Sequence, residues 1–273
     1  MNLDFIVSAL EEAGSMALES FQERNIRLAA GTATSYLQEK SPHELVIEED
    51  ILCQKIIVKA ILAKQSDAVI YSEESKNLSD LKTDTSPLKY IIDPLDGTHN
   101  FYYGIPYWGL SVGVLDCENR PVGGVIYLPS IGVFLKNTGE NFPTMVRSNG
   151  KWEEVHTVSR CLDLSMVCYD NQFYKLDEQA SSIYERLTQA AFTTRITGSA
   201  VADAAFIAIG RIGARIWNDT SSYDIAAGMS IVLGAGGRVT GFSGESVNVM
   251  ASKVIMSSGD MLHNSLLELI SNE

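Results

Sequence analysis

The feature that most restricts how this chain can fold is an apolar segment running straight into an acidic turn. Lys89-Tyr90-Ile91-Ile92 is followed at once by Asp93-Pro94-Leu95-Asp96-Gly97-Thr98. The first four residues read as a short strand. Two carboxylates at the end of a buried strand are unfavourable unless something neutralises them. Pro94 fixes its own backbone dihedral, and Gly97 permits a tight turn or a close approach of backbone to a ligand. Such a turn can aim Asp93, the Leu95 carbonyl and Asp96 at one point. Leu95 has no polar side chain, so its main-chain oxygen is the only ligand it could offer. All three are hard oxygen donors, suited to Mg²⁺, or to Mn²⁺ in its place, rather than to a soft metal. The competing reading is a plain turn, because Asp, Pro and Gly dominate turns for reasons unrelated to metals.

A second acidic pair favours the metal. Ala68-Val69-Ile70-Tyr71 reads as another short strand, and it ends at Ser72-Glu73-Glu74. Strand ends beside a sheet are where open α/β proteins place ligands. Either pair alone could be a solvated surface; both together read as a metal cage. Asp224 precedes Ile225-Ala226-Ala227-Gly228, an apolar helix start. Alone it reads as an N-cap or first-turn acid; beside the other carboxylates it becomes a candidate ligand.

Around these segments the patterning predicts helices, then a sheet, then α/β alternation. Phe5, Ile6, Ala9, Leu10, Ala13, Met16, Ala17 and Phe21 recur at helical spacing, giving a helix from Leu3 to about Leu28. Gly31 to Leu45 reads as a loop or loose hairpin broken by Pro42. A second helix begins at Glu48-Glu49-Asp50, acids that suit the positive end of a helix dipole. Strands over 109–115, 123–128 and 132–136 complete a largely antiparallel sheet. Beyond residue 160, helices over 177–191, 199–209 and 222–233 alternate with strands over 214–217, 238–240 and 253–257, before a closing helix over 261–270. No internal repeat or low-complexity segment interrupts the pattern. The expected organisation is two layered halves packed as one catalytic domain over 1–273, an N-terminal metal-binding half to about residue 150 and a C-terminal half from about 151.

Charge and side-chain supply exclude other classes. A net charge of −13 argues against nucleic acid as a partner, since phosphate backbones demand clustered Lys and Arg. It does not argue against a phosphorylated metabolite, because a bound divalent cation reverses the local field. Cys53, Cys117, Cys161 and Cys168 are scattered as expected of buried thiols in a reducing compartment, with no disulfide framework. The four histidines are isolated, so a zinc site on His and Cys is not expected. The N-terminus lacks a signal-peptide pattern, and no run approaches the ~20 apolar residues of a membrane span. The expectation is a cytoplasmic protein without membrane contact.

The motifs in order resemble the inositol monophosphatase family. Asp93 to Phe101 resembles its DPxDGTxNF signature, Tyr71-Ser72-Glu73-Glu74-Ser75 its GEES element, and Tyr223 to Gly228 followed by Gly236-Gly237 its WDxAAG…AGG signature. Arg195 to Ala200 resembles the GSAA element, and Lys40 to Asp50 stands in place of the K…DxVTxxD segment. The resemblance implies a layered αβαβα sandwich, shared with fructose-1,6-bisphosphatase, and magnesium-dependent hydrolysis of a small phosphate monoester, inositol monophosphate or a similar sugar phosphate. It implies a first metal on Glu73, Asp93 and the Leu95 carbonyl, activating a water, and a second on Asp93, Asp96 and Asp224. A third, weaker metal would lie near Glu73. Thr98, hydrogen-bonded to Asp50, would orient the attacking water. The Gly97 and Thr98 N–H groups would receive the phosphate, and Gly198, Ser199 and Ala200 would face the leaving alcohol. A homodimer is implied as well.

Three departures bear on substrate. Glu44-Leu45-Val46-Ile47 loses the usual threonine, and Tyr223 replaces the usual tryptophan. Trp217 stands where the family commonly has a Glu that binds sugar hydroxyls. It is a candidate substrate contact or a plain packing residue. The alternatives are a 3′-phosphoadenosine 5′-phosphate or fructose-1,6-bisphosphate phosphatase, and an inactive metal-binding relative acting through protein contacts.

Overall fold

The computed structural model describes residues 1–32, 38–41, 44–74, 78–170 and 178–271. The helices are α1 (Asp4–Ala29), α2 (Glu48–Lys64), α3 (Thr98–Tyr102), α4 (Glu178–Ala190), α5 (Ala200–Ala208), α6 (Ser222–Gly234) and α7 (Asp260–Ser271). The strands are β1 (Gln38–Ser41), β2 (Glu44–Val46), β3 (Val69–Ser72), β4 (Lys89–Asp96), β5 (Gly109–Leu115), β6 (Pro121–Leu128), β7 (Val133–Asn137), β8 (Met145–Ser148), β9 (Lys151–Glu154), β10 (Met166–Tyr169), β11 (Thr193–Arg195), β12 (Ala214–Trp217), β13 (Arg238–Thr240) and β14 (Val254–Ser257).

The strands form a β1–β2 hairpin, a seven-stranded sheet in the order β3 to β9, and a five-stranded sheet ordered β11-β10-β12-β14-β13. Among the described residues, only β3 and β4 run parallel in the large sheet; in the smaller one β11, β10 and β12 do. α1 and α2 bury Ile6, Leu10, Ala13, Ile57 and Ile61 against Ile92, Leu110 and Val112 on one face of the large sheet. α5 and α6 fill the space between the two sheets with Val201, Ala205, Ile225 and Ile231, beside Ile91, Ile126, Val254 and Met256. Ile183 and Leu187 of α4, with Leu262 and Leu266 of α7, cover the outer face of the small sheet. The layers are therefore α, β, α, β, α, the expected sandwich.

The central helix can lie close to the large sheet because the facing strands carry glycine. A Cβ on Gly113 would stand 2.6 Å from the Ala226 Cβ and 2.9 Å from the Ala227 nitrogen. One on Gly124 would stand 3.0 Å from the Ala227 Cα. This contact sets the depth of α6, and with it the position of Asp224 in its first turn.

Several elements escape sequence patterning. The strands β8 to β11 are short, β8 is only half covered and β9 mostly exposed, so they show little apolar alternation. The polar stretch before α2 is the β1–β2 hairpin where it is described; Pro42 lies outside the described residues. The cysteines correct the sequence reading in part: Cys53 and Cys168 are buried, but Cys117 is exposed and Cys161 half-buried. No described helix is long and apolar enough to cross a membrane.

Candidate metal centre

β4 is buried along its whole length and carries Asp93 and Asp96 into the interior. Its pairing with β5 is interrupted between Asp93 and Asp96, where Pro94 cannot donate to a ladder. The chain then leaves through Gly97, whose φ of 84° is left-handed, into the short helix α3. Phe101 anchors α3, with ring centroids 5.3 Å from Phe21 and 5.0 Å from Trp108. Thr98 is thereby held at the start of α3.

The structure brings Asp93, Asp96 and Asp224 together, with carboxylate oxygens all within 4.8 Å of one another. Both readings of Asp224 hold at once. It is the third residue of α6 and accepts hydrogen bonds from the Ser221 N–H (2.9 Å) and the Thr220 hydroxyl (3.1 Å), as a capping acid does. It is also a member of the cluster. Glu73 stands outside the 4.8 Å set. Its N–H donates to the Ile92 carbonyl (3.3 Å), which places it beside Asp93.

The electrostatics fit a cation site. Burial, followed by the charges of Glu73, Asp96, Asp224 and Asp50, pushes the Asp93 carboxyl well above the usual carboxylate range. Burial pushes Asp96 up to about 7, opposed by the Ser199 hydrogen bond and reinforced by Asp224. Asp224 is raised by burial, against its two capping bonds and the positive charge of Arg215. So many carboxylates in an interior repel one another and are costly to ionise without a partner. Oxygen-only donors at this spacing match a hard divalent cation.

Asp50, in the first turn of α2, accepts from the Ile47 N–H (2.7 Å) and from the Thr98 hydroxyl (3.3 Å). The same hydroxyl lies 3.0 Å from the Leu95 carbonyl oxygen. Burial raises Asp50 to about 7, with the Ile47 bond opposing. Ile47 has no oxygen to cap α2 and instead packs its side chain against the α1–α2 core. Only the acidic half of the capping pair survives the loss of threonine.

Gly198, Ser199 and Ala200 lie at the start of α5. The Ser199 hydroxyl and the N–H groups of Ala200 (3.1 Å) and Val201 (3.0 Å) all donate to Asp96. Two of the three residues expected to face the leaving alcohol thus direct polar groups at a carboxylate of the acidic cluster. Gly198 has a φ of 77°, and a Cβ there would stand 3.2 Å from the Asn100 amide. That amide donates to the Tyr107 (2.7 Å) and Thr197 (2.8 Å) carbonyls, tying α3 to the loop before α5. Trp217 is 2 % exposed and sits in the central core with the Arg215 guanidinium 5.1 Å from its ring centroid. Its placement supports the packing reading.

Sequence reasoning passed over a buried polar network behind this loop. Asp203 accepts from the Tyr107 hydroxyl (2.6 Å), the Thr197 hydroxyl (2.8 Å) and Arg215, and both ends of the Asp203–Arg215 ion pair are buried. The signal was there: Asp203 is the one charge in the apolar helix α5, and Arg215 the one charge in the strand Ala-Arg-Ile-Trp.

Comparison with known proteins agrees with this geometry. The sequence profile of the inositol monophosphatase family matches residues 2–273. A fructose-1,6-bisphosphatase/inositol-1-monophosphatase from Thermotoga maritima is 28% identical over 275 residues, covering 98% of this chain and 95% of that protein. A Nus factor SuhB from Pasteurella multocida is 29% identical, covering 89% of this chain and 85% of its own. The crystal structure of the extragenic suppressor protein suhB from Bartonella henselae superposes with a TM-score of 0.86 over 99% of this chain and 98% of that one, at 21% identity, a likeness of fold. With a profile match over nearly its whole length and the acidic cluster in place, this chain belongs to the inositol monophosphatase family of metal-dependent phosphatases.

Proposed function

We propose that this protein hydrolyses a small phosphate monoester, inositol monophosphate or a similar sugar phosphate, with Mg²⁺ as cofactor. The observation that carries the reading is the convergence of Asp93, Asp96 and Asp224 within 4.8 Å, beside the Thr98–Asp50 pair. Divalent cations bound there would neutralise the phosphate and acidify a water. Asp93, Asp96 and Asp224 would hold one ion, and Asp93 with Glu73 and the Leu95 carbonyl another.

The protein's own part is orientation and proton handling. Asp50, raised toward about 7 by burial, would accept a proton relayed through Thr98, and the Thr98 hydroxyl that donates to it would take a hydrogen bond from the attacking water. The Gly97 and Thr98 N–H groups would receive phosphate oxygens, a suitable role for donors at the start of a helix. Asp96 is held by three donors, so its carboxylate does not have to reorganise during the reaction. A cytoplasmic location and a homodimer belong to the same reading.

The test is phosphate release from a panel of inositol phosphates, sugar phosphates, fructose 1,6-bisphosphate and 3′-phosphoadenosine 5′-phosphate, with and without Mg²⁺. Activity on a polyol phosphate that Asp93→Asn abolishes supports the reading. A wild-type protein that releases no phosphate from any of them would falsify it. The likeness to a protein named as a Nus factor supports a second role through protein contacts, which would survive Asp93→Asn.

A further inference from the structure

A cavity of about 350 Å³, to which no carboxylate of the acidic cluster contributes, opens beside α5. Its volume lies in the range of small-molecule sites. Tyr107, Met166 and Phe206, half-buried on the margin of the central core, make its walls together with the buried Ile212. The Tyr107 and Phe206 rings have centroids 5.6 Å apart and planes inclined by 37°, so the cavity is aromatic as well as apolar. Two exposed arginines, Arg195 from β11 and Arg211 just past α5, complete the lining with Thr197.

The arginines are unusual in this chain. With 34 acidic residues against 21 basic ones, a cation readily finds a carboxylate. Among the described residues, neither Arg195 nor Arg211 pairs with one. Arg195 directs Nη1 to the Thr193 hydroxyl and the Thr194 carbonyl (2.7 Å) of its own strand. Arg211 lays its guanidinium over Phe206, 5.4 Å from the ring centroid. Stacking of this kind uses the face of the group and leaves its N–H edge open. A basic residue past a helix end often serves the last carbonyls. Here that duty is filled by backbone: the Arg211 and Ile212 N–H groups donate to the Phe206 carbonyl (2.8 and 3.2 Å), and the Gly210 N–H to that of Ile207 (3.0 Å). Asp203, behind the wall and bonded by the Tyr107 and Thr197 hydroxyls, is neutralised by Arg215. The cavity therefore combines an apolar interior with uncompensated positive charge. That combination suits a carboxylate or phosphate carried on a flat apolar body.

We propose that this cavity is a second ligand site, for a small aromatic anion whose rings pack on Tyr107 and Phe206 and whose charged group meets Arg195 and Arg211. The site is independent of the phosphatase reading, since a protein without turnover would keep it.

Naphthalene-1-carboxylate, which has no phosphate to hydrolyse, is the probe, titrated calorimetrically into the protein with Mg²⁺ present. The expected result is saturable binding at one per chain, weakened about tenfold or more in Arg195→Ala and in Arg211→Ala, the worth of a hydrogen bond to a charged group. Melting temperatures should not change, because both side chains are exposed. Naphthalene-1-methanol, with the same rings and no charge, should bind about tenfold more weakly and ignore both substitutions. Asp93→Asn should leave the affinity for the carboxylate as it is; its loss there would put the probe at the metal centre and overturn the proposal. Absence of saturable binding, or an affinity that neither arginine variant alters, would overturn it as well. So would binding that weakens as protein concentration rises, since a second copy of the chain would then be the occupant.

Discussion

The Ser199 hydroxyl donates to the Asp96 carboxylate across 103 positions of sequence, joining the start of α5 to the end of β4. The Ala200 and Val201 N–H groups complete the contact, so the N-terminus of α5 binds a carboxylate of the acidic cluster while Ser199 also accepts from the Ala202 N–H as the helix's own cap. The geometry of the site is thus set partly by the layer between the sheets.

Ser199→Ala removes one of the three donors to Asp96 and leaves the two backbone donors. Loss of a hydrogen bond that orients a metal-binding carboxylate is worth about 10–100-fold in metal affinity. The expected outcome is a Mg²⁺ concentration for half-maximal activity raised by about tenfold, within that range, with the fold retained. A Mg²⁺ titration read alongside the circular dichroism spectrum checks both halves.

Without metal the cluster makes stability depend on pH in a fixed sense. Asp50 and Asp96 have folded-state values near 7 against an ordinary 3.8, so the folded state keeps protons that the unfolded chain has lost. Their contribution is fully present below the ordinary value and declines as pH rises toward 7. A cation needs the ionised form, so its stabilisation grows over the same interval. Melting curves should show Mg²⁺ raising the melting temperature more at about pH 8 than at about pH 5.5. Asp93→Asn should raise the metal-free melting temperature while shrinking the Mg²⁺ effect; a larger Mg²⁺ effect at the lower pH would contradict the assignment.

Gly113→Ala tests the seat of α6. The added methyl meets Ala226 and the Ala227 backbone, neither of which can turn aside as a flexible side chain would. Overpacking of this kind costs about 1–3 kcal/mol. Because the helix carries Asp224, weaker Mg²⁺ binding should accompany the lower stability, measured by denaturant unfolding and by metal titration of the same preparation.

Arg215→Met leaves Asp203 buried beside the Tyr107 and Thr197 hydroxyls without its cation. Breaking one side of a buried pair costs about 3–5 kcal/mol. Replacing Asp203 by Asn in the same chain should recover a large part of that loss, and chemical denaturation of the two variants provides the comparison.

The sequence by itself determined the layered order of elements, the apolar strand leading into the Asp93–Thr98 turn, and the acids at Glu73, Asp50 and Asp224. These are local properties: hydrophobic period, turn chemistry, and charge at strand and helix ends. It located most helices to within a residue or two and missed β8 to β11, whose short runs carry little periodic signal. Only the tertiary structure decided which carboxylates meet. Asp224 comes within 4.8 Å of Asp93 and Asp96 because Gly113 and Gly124 let α6 approach the sheet, a cause that lies in two other strands. The structure also gave Ser199 to Asp96 and put Trp217 in the core. Spacing along a chain names the groups able to bind a metal or a phosphate, while packing between distant layers sets the distances at which they do so.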